Sequence, residues 1–356
     1  MILYDFSSAF HRSLHTSIKH TSPHKKDGKY ITEEFISVLI WRIISEYIDF
    51  YNKYHKEYGD FVICLDNHSK PYWRKTIYPE YKVQRKTERD KSDVNYNEVF
   101  KHIDNLCLVL KNFTCFKVIG VPGVEADDII GLLTRKYAKF EKVLILSPDK
   151  DFKQLHSLGS IRQYSSITNK WITPENIEEW KQEHICLGDS ADNVPRIVDF
   201  IEFTGEFKSF IENKYKELEF FDLDYNIKSK IIENFKEQNP NGEVYTKIRF
   251  GPTGLQKAID KFGSLENFLD SNPIIRKTYE MNKRLVIDDE VPAKVEAQIL
   301  KEYAEPVKQI DINSLKKYFD FYNLDTCTQL FKELSFKTYK PIEWESHKVD
   351  FETLVS

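Results

Sequence analysis

Four short apolar runs early in the chain each give way at once to acidic residues, and that pattern constrains the fold more than any other. MILY at 1–4 is followed by Asp5 and FVICL at 61–65 by Asp66. CFKVIG at 115–120 leads into VPGVEADD, and KVLILS at 142–147 into PDKD. Each run reads as a buried strand. The amphipathic stretches between them, about Glu33–Tyr58, Asn97–Asn112 and Ala126–Tyr137, read as helices. This alternation implies an α/β fold with a mostly parallel central sheet, flanked by helices on right-handed crossovers. The functional crevice of such a sheet lies beyond the carboxyl ends of its strands. All four runs therefore deliver acids to one edge.

Beyond Ser160 come two strand-like pieces, IRQY and KWI, and then a helix with Thr173 as cap and Pro174 at its first position, where a missing N–H costs nothing. That helix runs out near Cys186 into LGDSADNVP. The expected organisation is a core over 1–190, with a basic segment at about 70–95, and a helical region over 191–340. The latter holds a Lys- and Phe-rich stretch at about 197–247, and a tail follows at 341–356.

Nine acids stand out: Asp5, Asp66, Glu125, Asp127, Asp128, Asp149, Asp151, Asp189 and Asp192. Any one of them could be an ordinary helix cap or turn residue. Four consecutive strand ends carrying acids are a poor match for simple caps. Carboxylates packed together raise one another's pKa, and divalent cations resolve the conflict. All-oxygen ligands select hard ions such as Mg²⁺ or Mn²⁺, and a pair of ions suits phosphodiester hydrolysis.

A net charge of −4 argues against a nucleic-acid partner only if charge is evenly spread. It is not: from Lys70 to Lys91 eight Lys/Arg face three Asp/Glu, a local balance of +5. On a helix, Lys82, Arg85, Lys86 and Arg89 would share one face. The five cysteines are scattered without a CxxC pair, so a reducing cytoplasm is the expected setting. No apolar run is long enough for a membrane span, and MILYDFSS lacks the basic start of a signal peptide.

The ordered motifs YDFS, CLDN, WR with YPEYKVQRK, VEADDIIG, SPDKDFKQL, GDSADNVP and FGPTGLQKAIDKFG resemble those of the flap endonuclease and 5′→3′ exonuclease family, most of all its phage-type ribonuclease H branch. The resemblance implies a PIN-like 5′-nuclease core with a C-terminal duplex-binding part. It implies a first metal site formed or surrounded by Asp5, Asp66, Glu125, Asp127 and Asp128. A second would be held by Asp149, Asp151, Asp189 and Asp192, some through water. Lys82 and Arg85 match family residues that contact the scissile phosphate, with Tyr81 beside them and Arg74 and Trp73 as weaker candidates. The FGPTG turn matches a helix–turn–helix that grips duplex backbone. Gly251, Thr253 and Gly254 would offer N–H groups there, Lys257 and Lys261 would add charge, and there is room for a monovalent ion.

The implied enzyme is a Mg²⁺- or Mn²⁺-dependent 5′-nuclease acting on RNA–DNA or flap DNA in phage replication. It would be a monomer in the host cytoplasm, with a sliding clamp or single-strand-binding protein as the kind of partner. Two departures stand out: about 50 residues separate DNVP from the glycine turn, and that turn is FGPTG rather than glycine–x–glycine–proline–lysine. Two alternatives remain at this point, a PIN-type single-strand ribonuclease and a non-catalytic structure-specific DNA-binding protein. The recurring His11, His15, His20 and His24 are set aside as a metal cluster, because Ser, Thr and Pro interrupt the segment.

Overall fold

The computed structural model describes residues 1–20, 25–26, 29–30, 33–198, 204–212, 223, 225–244, 250–287 and 291–338. The tail expected at 341–356 and parts of the 197–247 stretch lie outside these residues. A six-stranded sheet has the order β5-β4-β1-β6-β7-β8, with β1 Ile2–Asp5, β4 Phe61–Cys64, β5 Lys117–Ile119, β6 Val143–Leu146, β7 Ile161–Ser165 and β8 Lys170–Ile172. A two-residue hairpin, β2 Lys25–Lys26 with β3 Lys29–Tyr30, stands apart. All pairings in the large sheet are parallel except β7 with β8. The sheet is the mostly parallel one that the strand–helix alternation implies.

The three central strands read ILYD, FVIC and VLIL, and every residue in them is buried. Covering both faces of a parallel sheet requires such unbroken apolar runs. One face packs against α1 Phe6–His20, α2 Glu33–Tyr58 and α4 Tyr96–Phe113. In α2, Phe35, Ile36, Leu39, Ile40, Ile43, Ile44, Tyr47 and Ile48 recur at helical spacing and are all buried. The other face packs against α5 Ala126–Tyr137, the 3₁₀ segment Lys150–Leu158 and the later helix Ala293–Ala304.

The helices Ile312–Phe321 and Asp325–Thr338 contribute Leu315, Phe319, Phe331 and Leu334 to the core on the α2 side. The last three helices thus share the core of the sheet rather than standing apart with residues beyond 190. Within 197–247, the helices Gly205–Glu212 and Tyr225–Gln238 close a small core of their own around Phe207, Ile211, Phe235 and Val244.

Two local expectations change. The helix after β8, α6, spans Ile177–Leu187 and is capped by Asn176, whose side chain accepts from the Glu179 N–H, not by Thr173. Asn176 satisfies an otherwise orphaned N–H, and the helix starts three residues later than Thr173 and Pro174 would have set it. The basic helix α3 spans Gln84–Lys91, so Lys82 lies before it. Lys82 has φ 55, and this left-handed turn takes its side chain off the expected helical face. No described helix is long and apolar enough to cross a membrane.

Candidate active site

Strand order fixes where the site falls. The chain leaves β1 for β4 and β5 on one side, then returns to β6 and β7 on the other. The crevice at such a reversal opens beyond the carboxyl end of β1. Asp5 ends β1, Asp66 follows β4, and Asp149 follows β6. Asp127 joins them from the first turn of α5.

Among the described residues, no Lys or Arg forms an ion pair with any of these four acids, although the charge of Lys82 reaches Asp127. Asp5 accepts from the Ser8 N–H at 3.0 Å and the Ser147 hydroxyl at 2.7 Å. Burial still pushes it up to about 6, with the charge of Asp66 adding to the effect. Burial and the charge of Asp151 push Asp149 up to about 7. Burial, then Asp149 and Asp5, raises Asp127 well above the carboxylate range. Asp66 accepts from the Ala126 N–H at 2.8 Å, which ties it to the start of α5.

Three other acids are neutralised by the basic segment. Arg74 is 3% exposed; its Nη1 reaches Glu125 at 3.0 Å and Asp128 at 2.6 Å, and its Nε donates to the Leu285 carbonyl. The other Asp128 oxygen accepts from Trp73 Nε1 and from the Glu125 N–H, the latter closing the capping box that starts α5. Both oxygens of Asp128 are therefore engaged within the fold. Lys82 pairs with Glu125 and, at 3.2 Å, with Asp192; Arg85 pairs with the other Asp192 oxygen. The buried Tyr81 hydroxyl donates toward Glu125 at 3.1 Å and Asp192 at 3.2 Å. Burial alone would raise Glu125, but Lys82 and Arg74 hold it below the usual range.

Asp151 and Asp189 form a third group, with a residue that sequence reasoning missed. One donor atom each from Asp151, His184 and Asp189 lie within 4.8 Å of one another. The loop carrying Asp189 is held by a two-way backbone pairing of Asp189 with Val194. Gly188 turns into it at φ 63, where an added Cβ would sit 2.4 Å from the Val194 and Pro195 carbonyl oxygens. Gly188→Ala is expected to destabilise the protein by more than about 1 kcal/mol, read from the urea midpoint.

Ser147 was also missed. It is fully buried and bridges two acids, donating to Asp5 and accepting from the Asp149 N–H at 3.1 Å. Its only signal was its place as the last residue of KVLILS.

The sequence-predicted cations fall into distinct settings. Arg85 leaves 45% of its side chain exposed and Lys82 only 7%. Both line a cavity of about 1050 Å³ with Asp66, Lys70, Lys75 and Arg89. Lys86 lies in α3. Arg74, a candidate for nucleic acid, is instead committed to Glu125 and Asp128 in the interior. At the glycine turn, Gly251 caps the helix Pro252–Phe262, and Gly263 at φ 80 joins it to the helix Leu265–Asp270. Thr253, Lys257 and Lys261 are exposed on the first helix, and Gly254 is half-buried. His11 is exposed on α1 and lines the same cavity as Arg85.

Acids gathered at a sheet reversal with a basic cavity beside them are an arrangement suited to phosphodiester chemistry. The model of the 5′-3′ exonuclease N-terminal resolvase-like domain matches residues 1–182, and the chain belongs to this nuclease family. It is 28% identical over 246 residues to ribonuclease H of Enterobacteria phage T4, covering 58% of this chain and 80% of that protein. It is 36% identical over 145 residues to a 5′-3′ exonuclease of Buchnera aphidicola, 38% of this chain and 47% of that protein. Among solved structures, the T5 5′-exonuclease with zinc bound aligns at TM-score 0.49 and 14% identity, over 94% of this chain and 99% of that one.

Proposed function

We propose that the chain is a Mg²⁺- or Mn²⁺-dependent 5′-nuclease that hydrolyses phosphodiesters near the 5′ ends of RNA–DNA hybrids and flap DNA. Removal of RNA primers during phage DNA replication is the role this reading favours. The observation that carries it is the division of the nine acids. Asp5, Asp127 and Asp149 are raised by burial and mutual repulsion, whereas Glu125, Asp128 and Asp192 are held by the protein's own cations. An all-oxygen group short of positive charge fits hard divalent ions.

Asp5, Asp66, Asp127 and Asp149 would hold one ion, with Asp151 and Asp189 serving a second. When bound, such ions supply Lewis-acid charge and activate water. The chain's own cations do the rest. Arg85, at the rim of the cavity, receives a phosphate, and Lys82 backs it from the interior; fixed charge aimed at the reacting phosphate lowers the barrier. The helix Pro252–Phe262 offers exposed Lys257, Lys261 and Thr253 to duplex backbone, with Gly251 and Gly254 at its start and a monovalent ion as a further occupant there. A sliding clamp or single-strand-binding protein is the class of partner for replication, and a monomer is the working unit.

The test is product mapping on matched 5′-flap, nicked and RNA-primed duplexes. Cleavage near the 5′ end is expected with Mg²⁺ and none with chelator. Equal digestion of single-stranded RNA would favour the PIN-type alternative, and tight binding without cleavage in Mg²⁺ would overturn the enzyme reading for these substrates.

A further inference from the structure

The proposed site is built of oxygen donors, yet one nitrogen points into it. We propose that His184 is a direct nitrogen ligand to a divalent cation shared with Asp151 and Asp189, so that the second ion sits in a mixed imidazole–carboxylate set. The inference rests on the nuclease reading above and specifies its second metal position.

Three observations meet here. First, the His184 ring is 9% exposed, and its Nε2 has no hydrogen-bond partner. The nearest acceptor, Asp151 Oδ1, lies 3.4 Å away and is itself buried without a hydrogen bond. At that distance the two atoms form only a long charge pair, present when the imidazole carries a proton; a cation between them would take its place and hold both at bonding distance. Second, the donor atoms of Asp151, His184 and Asp189 lie within 4.8 Å of one another. Usual ligand distances of about 2.0–2.2 Å require only small side-chain rotations from there.

Third, each donor is held from outside the cluster. Trp180, one turn earlier on α6, stacks on the imidazole at 4.9 Å between centroids and 22° between planes. Asp151 lies in the first turn of the 3₁₀ segment, where its N–H donates to the capping Asp149 side chain at 2.9 Å. Asp189 Oδ1 accepts from the Ala191 N–H at 2.7 Å, within the loop pinned by Val194. Asp192 is occupied otherwise, with one oxygen on Arg85 and the other near Tyr81 and Lys82. The imidazole stands beside Asp151 and Asp189.

A nitrogen donor shifts preference from Mg²⁺ toward Mn²⁺, Co²⁺ or Zn²⁺ at this position. The full-length protein, stripped with chelator, is titrated with Mn²⁺, and pulsed EPR reads the nuclei bound to it. The expected result is a ¹⁴N coupling from a directly bound imidazole. It is replaced by a ¹⁵N signal when wild-type protein carries ¹⁵N-histidine, a comparison that needs no variant to fold. The coupling should vanish in His184→Gln and persist in His68→Gln, the control for the imidazole near Asp66. Asp189→Asn should weaken Mn²⁺ binding by at least about tenfold.

Bound Mn²⁺ with no nitrogen coupling, or coupling that survives His184→Gln, overturns the nitrogen ligand and leaves the nuclease reading standing. No Mn²⁺ binding at all overturns both.

Discussion

Asp149→Asn is expected to cost nearly all nuclease activity while making the metal-free protein more stable. The two effects share one cause. Asp149 keeps a titration midpoint of about 7 in the fold because burial and Asp151 oppose its charge, whereas an unfolded chain ionises near the ordinary carboxylate value. With the folded value raised, nothing is lost below about pH 4, where both states hold the proton. Stability then falls as pH rises through the interval up to about 7, and above it the penalty is complete.

Asparagine cannot ionise and keeps an oxygen to accept from the Asp151 N–H. The gap between variant and wild type in chelator should therefore open between pH 4 and 7. It should level off at on the order of 1–3 kcal/mol, or roughly 2–8 °C in Tm. Saturating Mg²⁺ should close or reverse the gap, since a ligand bound only by the folded state stabilises it. Single-turnover cleavage of a 5′-labelled flap should fall by about 10²–10⁴, the several kcal/mol that a lost metal ligand is worth. A variant that is both fully active and no more stable would remove Asp149 from the charged centre.

How far the site could be read from sequence follows from which contacts are local. An apolar run that ends in an acid places that acid on the sheet edge, because parallel strands all point the same way; Asp5, Asp66 and Asp149 were legible for this reason. Their division was not. Arg74 neutralises Glu125 and Asp128 from more than fifty residues upstream, and no spacing rule connects an isolated WR to the start of α5. Lys82 was legible as a cation in a basic segment and misplaced on a helical face, because only its left-handed backbone turns it inward.

His184 shows the limit in another way. It is a lone histidine on the last turn of a helix, and its one hint was the Asp189 loop that begins four residues later at Gly188. The return of the last helices to the sheet core was equally hidden, since amphipathic periodicity marks an apolar face without naming the surface it covers.

Lys82→Met is expected to destabilise the protein by about 3 kcal/mol, the lower end of what is lost when one partner of a buried ion pair is removed. Its ammonium sits between Glu125, whose side chain is 2% exposed, and Asp192. Arg74 and Arg85 remain to cover part of those two charges, which keeps the loss from the upper end. Adding Glu125→Gln to Lys82→Met should restore much of the urea midpoint, because neither charge is then stranded, and the coupling is read as a double-mutant cycle.

Flap cleavage should not return with stability, since the proposed role of Lys82 behind Arg85 is not restored. The backbone supplies an independent check. Lys82 sits at φ 55, held by its N–H donating to the Asp192 carbonyl at 2.9 Å, and a non-glycine residue there carries a conformational cost of about 1–2 kcal/mol. Lys82→Gly should therefore be more stable than Lys82→Ala by about 1 kcal/mol, although both lose the same ion pair. Equal stability of those two would mean that the turn at Lys82 is not held in the left-handed region, and the inward aim of its ammonium would lose its physical basis.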